Sequence, residues 1–408
     1  MNYVILIGIA LFFVATALRD GAMGWDFGGG SMNLRIDDRD YSLRVNGDGD
    51  IDIEPDGSGI AALDRGGSLD VSMRRDGLDR RVLFTNPDGT IERQYFIEGD
   101  EQPWDAEADR FVAEAMPIVL RETAINAGER VAWLIANRGH SGVLDEIGLI
   151  RSDFAQRVYT VQYAQTAEIA AAGFERLMTM TGDNMSSDFD VRTTLIEVFD
   201  AQMPTGTNLA ALLEAGKTIS SDFDARTVLE HVGASMPPSP EAAASYLDLA
   251  ATISSDFDMR LALQPLLTRA DVDDEIVARA IGLAGNEISS DFDLRTVLAE
   301  AAGRVGRSDA LVRAYTTAAA AISSDFDLRV TLTALADNAE PTPAGWQMVL
   351  ETARDIGSDF DAATLLTELV PHLPRDAAVI DAYRETLDTI DGDFDRGRAA
   401  AALEEVRR

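Results

Sequence analysis

Between residues 33 and 98, apolar and polar residues alternate with period two; from Pro103 onward the apolar positions recur with a helical period. Asn33-Leu34-Arg35-Ile36, Tyr41-Ser42-Leu43-Arg44-Val45, Ile51-Asp52-Ile53-Glu54, Leu69-Asp70-Val71-Ser72-Met73 and Arg81-Val82-Leu83-Phe84 each place every second side chain on one face. That is the pattern of half-buried strands. Asn46-Gly47, Asp56-Gly57, Asp76-Gly77 and Asp88-Gly89 separate them, and such dipeptides supply the positive φ angles of tight turns. The spacing predicts a small antiparallel β domain of about five to seven strands over 33–98, with Ile91–Ile97 as its last strand. Phe111, Val112, Ala115, Met116, Ile118, Val119 and Leu120 then fall at helical spacing between Asp105 and Glu122. Together with one or two helices in 127–149, they predict a helical cap over 99–149 that covers the first hairpin of a helical array beginning at residue 150.

Residues 150–408 repeat one string, I-S-S-D-F-D-x-R-x-x-L. Its phenylalanine returns at Phe154, Phe189, Phe223, Phe257, Phe292, Phe326, Phe360 and Phe394, in steps of 34 or 35 residues. A fixed period in this range marks stacked helical hairpins. The expected fold class is therefore mainly α: an α-solenoid of about eight 34–35-residue helical-hairpin repeats behind the small β domain. The first copy, Arg151-Ser152-Asp153-Phe154-Ala155, and the last, Asp391-Gly392-Asp393-Phe394-Asp395, are the least regular, as terminal repeats of an array are.

Five copies keep the full pattern: Ser187, Asp188, Phe189, Asp190, Arg192; Ser221, Asp222, Phe223, Asp224, Arg226; Ser255, Asp256, Phe257, Asp258, Arg260; Ser290, Asp291, Phe292, Asp293, Arg295; and Ser324, Asp325, Phe326, Asp327, Arg329. Each reads as the start of a repeat's second helix. Ser255 is a suitable N-cap, and Asp258 three residues on completes a capping box. Asp256 and Asp258 sit in the first turn, where the helix dipole favours carboxylates. Arg260 follows Asp256 by four residues, a spacing at which the two pair on one helix face. Phe257, Leu261 and Leu263 are expected to open the apolar face. Ser239-Pro240-Glu241 and Thr342-Pro343 start first helices, with a capping hydroxyl before a proline. The expectation is structural, each Asp–Arg set tying a helix start to its own turn or to the next repeat. The competing expectation is a row of carboxylates that binds cations or a basic peptide.

Composition narrows the chemistry. The formal net charge is −35 and Lys217 is the single lysine. So acidic a chain repels nucleic acid, whose binding needs a basic footprint, and favours a protein partner with a basic face. With no cysteine, disulfides and thiolate metal sites are excluded, and His140, His231 and His372 lie in no ligand spacing. Asp188-Phe189-Asp190-Val191-Arg192 puts Arg192 where a D-x-D-x-[TV] phosphatase motif needs Thr or Val. Counted from Asp48, the sixth and twelfth places of a calcium loop hold Ile53 and Gly59 where glycine and glutamate are needed, so Asn46–Asp52 reads as a hairpin turn. No catalytic, cofactor-binding or metal-binding residue is assigned, and no cofactor is expected. The expected function is non-enzymatic protein binding or scaffolding, or a sensor module; the alternatives are a hydrolase using repeat carboxylates and a cytoplasmic-facing regulatory adaptor. Trp346 and Tyr383, on first helices, are the expected contact features.

Residues 2–18 hold almost no polar side chain and predict a signal peptide or membrane anchor over 1–18. Ala15-Thr16-Ala17 has the small-x-small form of a cleavage site, while Arg19 on the far side of the apolar run argues for a cytoplasmic body. The Gly-rich residues 19–32 read as a tether. The expected location is the periplasm, or the inner membrane facing the periplasm; the alternative faces the cytoplasm.

Over residues 150–400 the string resembles bacterial helical repeats of the form I-x-S-D-[FY]-[DE]-[KR]-x-x-L. These are similar to the extracytoplasmic repeat tails of some proteins of the penicillin-sensing, antirepressor-type membrane metallopeptidase family. Ile91-Glu92-Arg93-Gln94-Tyr95-Phe96-Ile97-Glu98-Gly99, followed by Pro103-Trp104-Asp105-Ala106-Glu107, is similar to the region before those repeats. The peptidase part is absent, so the resemblance implies no catalytic residue. It implies an extracytoplasmic module of the bacterial envelope.

Overall fold

The structure, a computed structural model, describes residues 24–28, 31–237 and 239–407. The apolar segment expected as a signal or anchor, 2–18, lies outside them. No helix among the described residues is long and apolar enough to cross a membrane. The chain forms two compact units, one ending at Gly173 and one beginning at Phe174.

In the first unit the strands are β1 (Gly24–Gly28), β2 (Ser31–Asp37), β3 (Tyr41–Asp48), β4 (Ile51–Ile53), β5 (Ile60–Leu63), β6 (Ser68–Arg75), β7 (Leu78–Thr85), β8 (Glu92–Ile97) and β9 (Asp100–Gln102). Seven of them form one antiparallel sheet in the order β1-β2-β3-β6-β7-β8-β9, and β4 pairs with β5 separately. The register sets Leu34 beside Val45, Val45 beside Val71 and Val71 beside Val82, so the alternation read from the sequence becomes one buried apolar face. The stretch expected as a tether, 19–32, contains β1 and the start of β2. The turn at Gly49, φ +85°, does not make the expected hairpin, because β3 continues to pair with β6 while β4 turns to β5.

Helices α1 (Ala106–Thr123), α2 (Ala127–Ile147) and α3 (Asp153–Thr166) come next. The stripe Ala108, Phe111, Val112, Ala115, Met116 and Val119 of α1 shares one core with Leu43, Val71 and Val82 of the sheet. An antiparallel sheet with one apolar face must be covered, and α1 is the first amphipathic segment after it. The helix expected to cap the array therefore builds the β domain's core, and reaches the first repeat through the Tyr159 hydroxyl, which donates to the Leu120 carbonyl at 3.0 Å.

The rest of the chain is α4 (Ala171–Asn184), α5 (Asp188–Gln202), α6 (Gly206–Gly216), α7 (Asp222–Ser235), α8 (Pro240–Ala250), α9 (Asp256–Thr268), α10 (Asp274–Glu287), α11 (Asp291–Val305), α12 (Asp309–Ala319), α13 (Asp325–Asn338), α14 (Pro343–Thr352), α15 (Asp359–Leu369), α16 (Ala377–Leu387) and α17 (Asp393–Arg407). Two short 3-10 turns, 353–355 and 370–372, extend α14 and α15. Odd-numbered helices from α5 onward stack on one another, as do even-numbered ones from α6 onward. This is the two-layer helical-hairpin solenoid that the period implies. Ser239 and Thr342 cap α8 and α14 ahead of a proline at the first helical position. Trp346 and Tyr383, expected at the surface, are buried. The Tyr383 hydroxyl donates to the Ala399 carbonyl at 2.9 Å, as that of Tyr315 does to Thr331, so the stack buries these large rings without stranding a polar atom.

Candidate functional site

The repeated string forms the row of second-helix starts. Ser187, Ser221, Ser255, Ser290, Ser324 and Ser358 are the N-caps of α5, α7, α9, α11, α13 and α15, each accepting the N–H three residues on. The isoleucine before each turn closes the preceding helix against the core: Ile219, Ile253, Ile288, Ile322, Ile356 and Ile390 are all buried. To this extent the local reading holds.

The carboxylates do not work locally. Asp256 does not pair with Arg260, and Asp258 does not complete a capping box. The Asp256 carboxylate instead accepts from the Ser289 N–H at 3.1 Å, the Ser289 hydroxyl at 3.0 Å and the Ser290 N–H at 2.8 Å, all in the next repeat. Asp188 holds Ser220 and Ser221 in the same way. Asp222 holds Ser254 and Ser255, Asp291 holds Ser323 and Ser324, Asp325 holds Gly357, and Asp359 holds Asp391 and Gly392. The second carboxylate takes the arginine of the preceding repeat. Arg192–Asp224, Arg226–Asp258, Arg260–Asp293, Arg295–Asp327 and Arg329–Asp361 lie between 2.6 and 2.9 Å. Side chains in these pairs are about four-fifths or more out of water, as at Arg260 and Asp293, 17% and 14% exposed. One Asp therefore reaches forward to the next turn and the other receives a guanidinium from behind.

Local spacing missed this because a carboxylate at a helix start can meet a donor in its own chain segment or across the stack. The stack wins here because its donors are backbone N–H groups that the turn leaves without a partner. Glu122, at the end of α1, does the same work for the first copy: its carboxylate accepts from the Arg151 and Ser152 N–H groups at 3.3 Å. Glu122 was not singled out by sequence. It precedes Ser152 by 30 residues, near the offset of 32 to 34 seen along the row, and that offset is the signal that would have found it. Burial pushes its carboxyl above the ordinary range, and the two N–H groups and nearby arginines pull against that shift.

The phenylalanines also differ from expectation. They do not open the apolar face. Met259, Ala262, Leu263, Leu266 and Leu267 form the buried stripe of α9, and Phe257 is 51% exposed, with Phe360 at 61%. Met259 lies two positions after Phe257, about 200° around a helix, so the ring stands off the core stripe. From Phe154 to Phe360 each ring lies against an arginine instead. The Arg226 guanidinium is 5.0 Å from the Phe223 ring centre and 5.9 Å from that of Phe257; Arg295 lies similarly between Phe292 and Phe326. Where the string loses its arginine, at Ala363, Arg398 of α17 takes the place over Phe360 at 5.4 Å and reaches Asp395 at 3.3 Å. The second unit thus carries a line of rings interleaved with guanidinium groups, at contact distances where a cation attracts a ring face.

Among the described residues no cluster of His, Asp and Glu gathers to hold a metal ion. No family model and no curated protein matches the chain. A solved chain from the computational design of self-assembling cyclic protein homo-oligomers overlaps 69% of this chain and 93% of its own length, at 11% identity and a TM-score of 0.15, a level at which neither fold nor function transfers.

Proposed function

We propose that the repeat unit is a non-enzymatic protein-binding or scaffold module, and that the line of exposed phenylalanines is its contact surface. The observation that carries this is the exposure of Phe223, Phe257, Phe292, Phe326 and Phe360 at one repeated position. Large apolar side chains exposed in a continuous row mark interaction sites, and a solenoid presents such rows over a long surface. Hydrolysis by repeat carboxylates has less to draw on, because Asp222, Asp256 and Asp291 are occupied by backbone donors and Asp258, Asp293 and Asp361 by arginines. The net charge of −35 favours a partner with a basic face. The apolar 2–18 segment and the resemblance of the repeats to extracytoplasmic tails support a place in the bacterial envelope.

Affinity capture of the tagged protein from its own membrane fraction tests the reading. A specific partner whose binding weakens as salt rises supports it, since exposed charges are screened over about 8–10 Å at physiological salt. Hydrolysis of a generic ester or phosphate, abolished by changing one Asp, would overturn it.

A further inference from the structure

The chemistry of the partner segment can be read from the same row, given the protein-binding reading above. Second helices packed side by side place their rings roughly 8–10 Å apart. The row has no continuous second apolar wall: four residues after the phenylalanine stand Thr227, Thr296 and Thr364, whose hydroxyls donate to the phenylalanine's own carbonyl, and from Phe223 to Phe360 only at Phe257 and Phe326 is that position apolar, as the half-buried Leu261 and Val330. Part of its main-chain donor capacity is already used. The turn N–H groups of Ser255, Ser290 and Ser324 are taken by carboxylates, and those of Asp258, Asp293 and Asp327 by serine hydroxyls. A β-strand ligand gains its affinity by pairing along an exposed sheet edge, which a row of helix starts does not present, and a helical ligand needs a continuous apolar groove with two walls, which the threonines interrupt. A polyproline II segment needs neither. It has three residues per turn and rises about 3.1 Å per residue, so one face returns every ~9.3 Å, close to the spacing of the rings.

Charge sets the second requirement. Asp248, Glu287, Asp355 and Asp388 are exposed, within six residues of the next turn of the row. Each lies in or just past the last turn of a first helix or its 3-10 extension. Carboxylates there add to the negative end of the helix dipole rather than offsetting it, leaving a negative margin beside rings whose own arginines are already neutralised.

We propose that the Phe–Arg row binds an extended proline-rich segment in the polyproline II conformation, one proline face per ring, with basic residues meeting the acidic margin. Fluorescence anisotropy with the full-length protein tests it, using labelled peptides of six Pro-Pro-Lys triplets and of six Gly-Gly-Lys triplets, which match in charge and length. The proline peptide should bind about tenfold or more tightly than the glycine peptide. Phe257→Ala/Phe292→Ala/Phe326→Ala should erase most of that difference while leaving the glycine peptide unchanged. Far-UV circular dichroism checks that the triple variant is folded; should it not be, Phe292→Ala alone should weaken the proline peptide selectively. Equal binding of the two peptides, or proline-peptide binding that the phenylalanine variants leave intact, overturns the proposal. So does tighter binding of a basic amphipathic helix of equal charge. If the peptides fail while membrane capture still returns a specific partner, only the ligand class falls; if capture also returns none, the binding-module reading falls with it.

Discussion

Replacing Asp256 by alanine isolates the tie between one repeat and the next. The carboxylate accepts three hydrogen bonds, two from Ser289 and one from the Ser290 N–H. Bonds to a charged acceptor contribute about 1.5–3 kcal/mol each when neither partner is rehydrated. Ser289 is exposed, so water replaces both of its bonds at little net cost. The Ser290 N–H is part-buried and retains most of the penalty. The expected loss is about 2–3 kcal/mol, of which roughly 0.5 kcal/mol is the lost charge at the helix N-terminus. Asp393→Ala supplies the control. Asp393 stands at the same place in α17, and among the described residues its carboxylate holds no following turn, so it should lose only the ~0.5 kcal/mol dipole contribution. Urea unfolding followed by far-UV circular dichroism reads the difference; with a slope of about 3 kcal/mol/M, Asp256→Ala should lower the midpoint by ~0.7–1 M. Hydrogen exchange localises it, because a turn weakened by about 2 kcal/mol opens roughly 30-fold more often. Equal midpoints for the two variants, with unchanged exchange at Ser289 and Ser290, would refute the inter-repeat tie.

Ser255→Ala should cost about 1 kcal/mol, the usual loss of an N-cap hydroxyl, read as a lowered unfolding midpoint. Arg260→Ala should cost about 1–3 kcal/mol, because it strands Asp293 mostly out of water, and Arg260→Lys should recover only part through loss of the planar group over Phe257; a neutral Arg260→Ala would show the pair to be idle. Burial holds the Glu122 carboxyl above its ordinary value, so the folded chain binds this proton more tightly than the unfolded chain. Its contribution is then full below the ordinary carboxylate value and is lost as pH rises through the raised one; Glu122→Gln should flatten stability across that window, and an unchanged slope would contradict the assignment. A reporter active only outside the cytoplasm, fused after Arg408, should be active, whereas activity of a cytoplasm-only reporter there would favour the adaptor alternative.

Features that depend on neighbours along the chain were legible in the sequence alone. A serine caps a helix three residues away, an alternating strand shows its buried face in any window of eight, and a 34-residue period survives without knowledge of what touches what. Hence the solenoid, the second-helix starts at Ser187 through Ser324 and the strands β2, β3, β6, β7 and β8 could be read directly. Every partner that lies one repeat away was set by the stacked fold. Asp256 had Arg260 within local reach and bonds Ser290 instead, because stacking brings the backbone donors of the next turn to it. The α1 stripe was recognisably amphipathic, but only the sheet's bare face showed where it packs. Trp346 and Tyr383 sit where sequence alone suggests contact features, and stacking turns them inward. The phenylalanines show the limit from the other side: apolar character suggests burial, whereas the angle from Phe257 to Met259 already places the ring off the core stripe. Hydrophobicity marks which residues gain by leaving water; geometry, fixed only when the helices stack, decides which of them do.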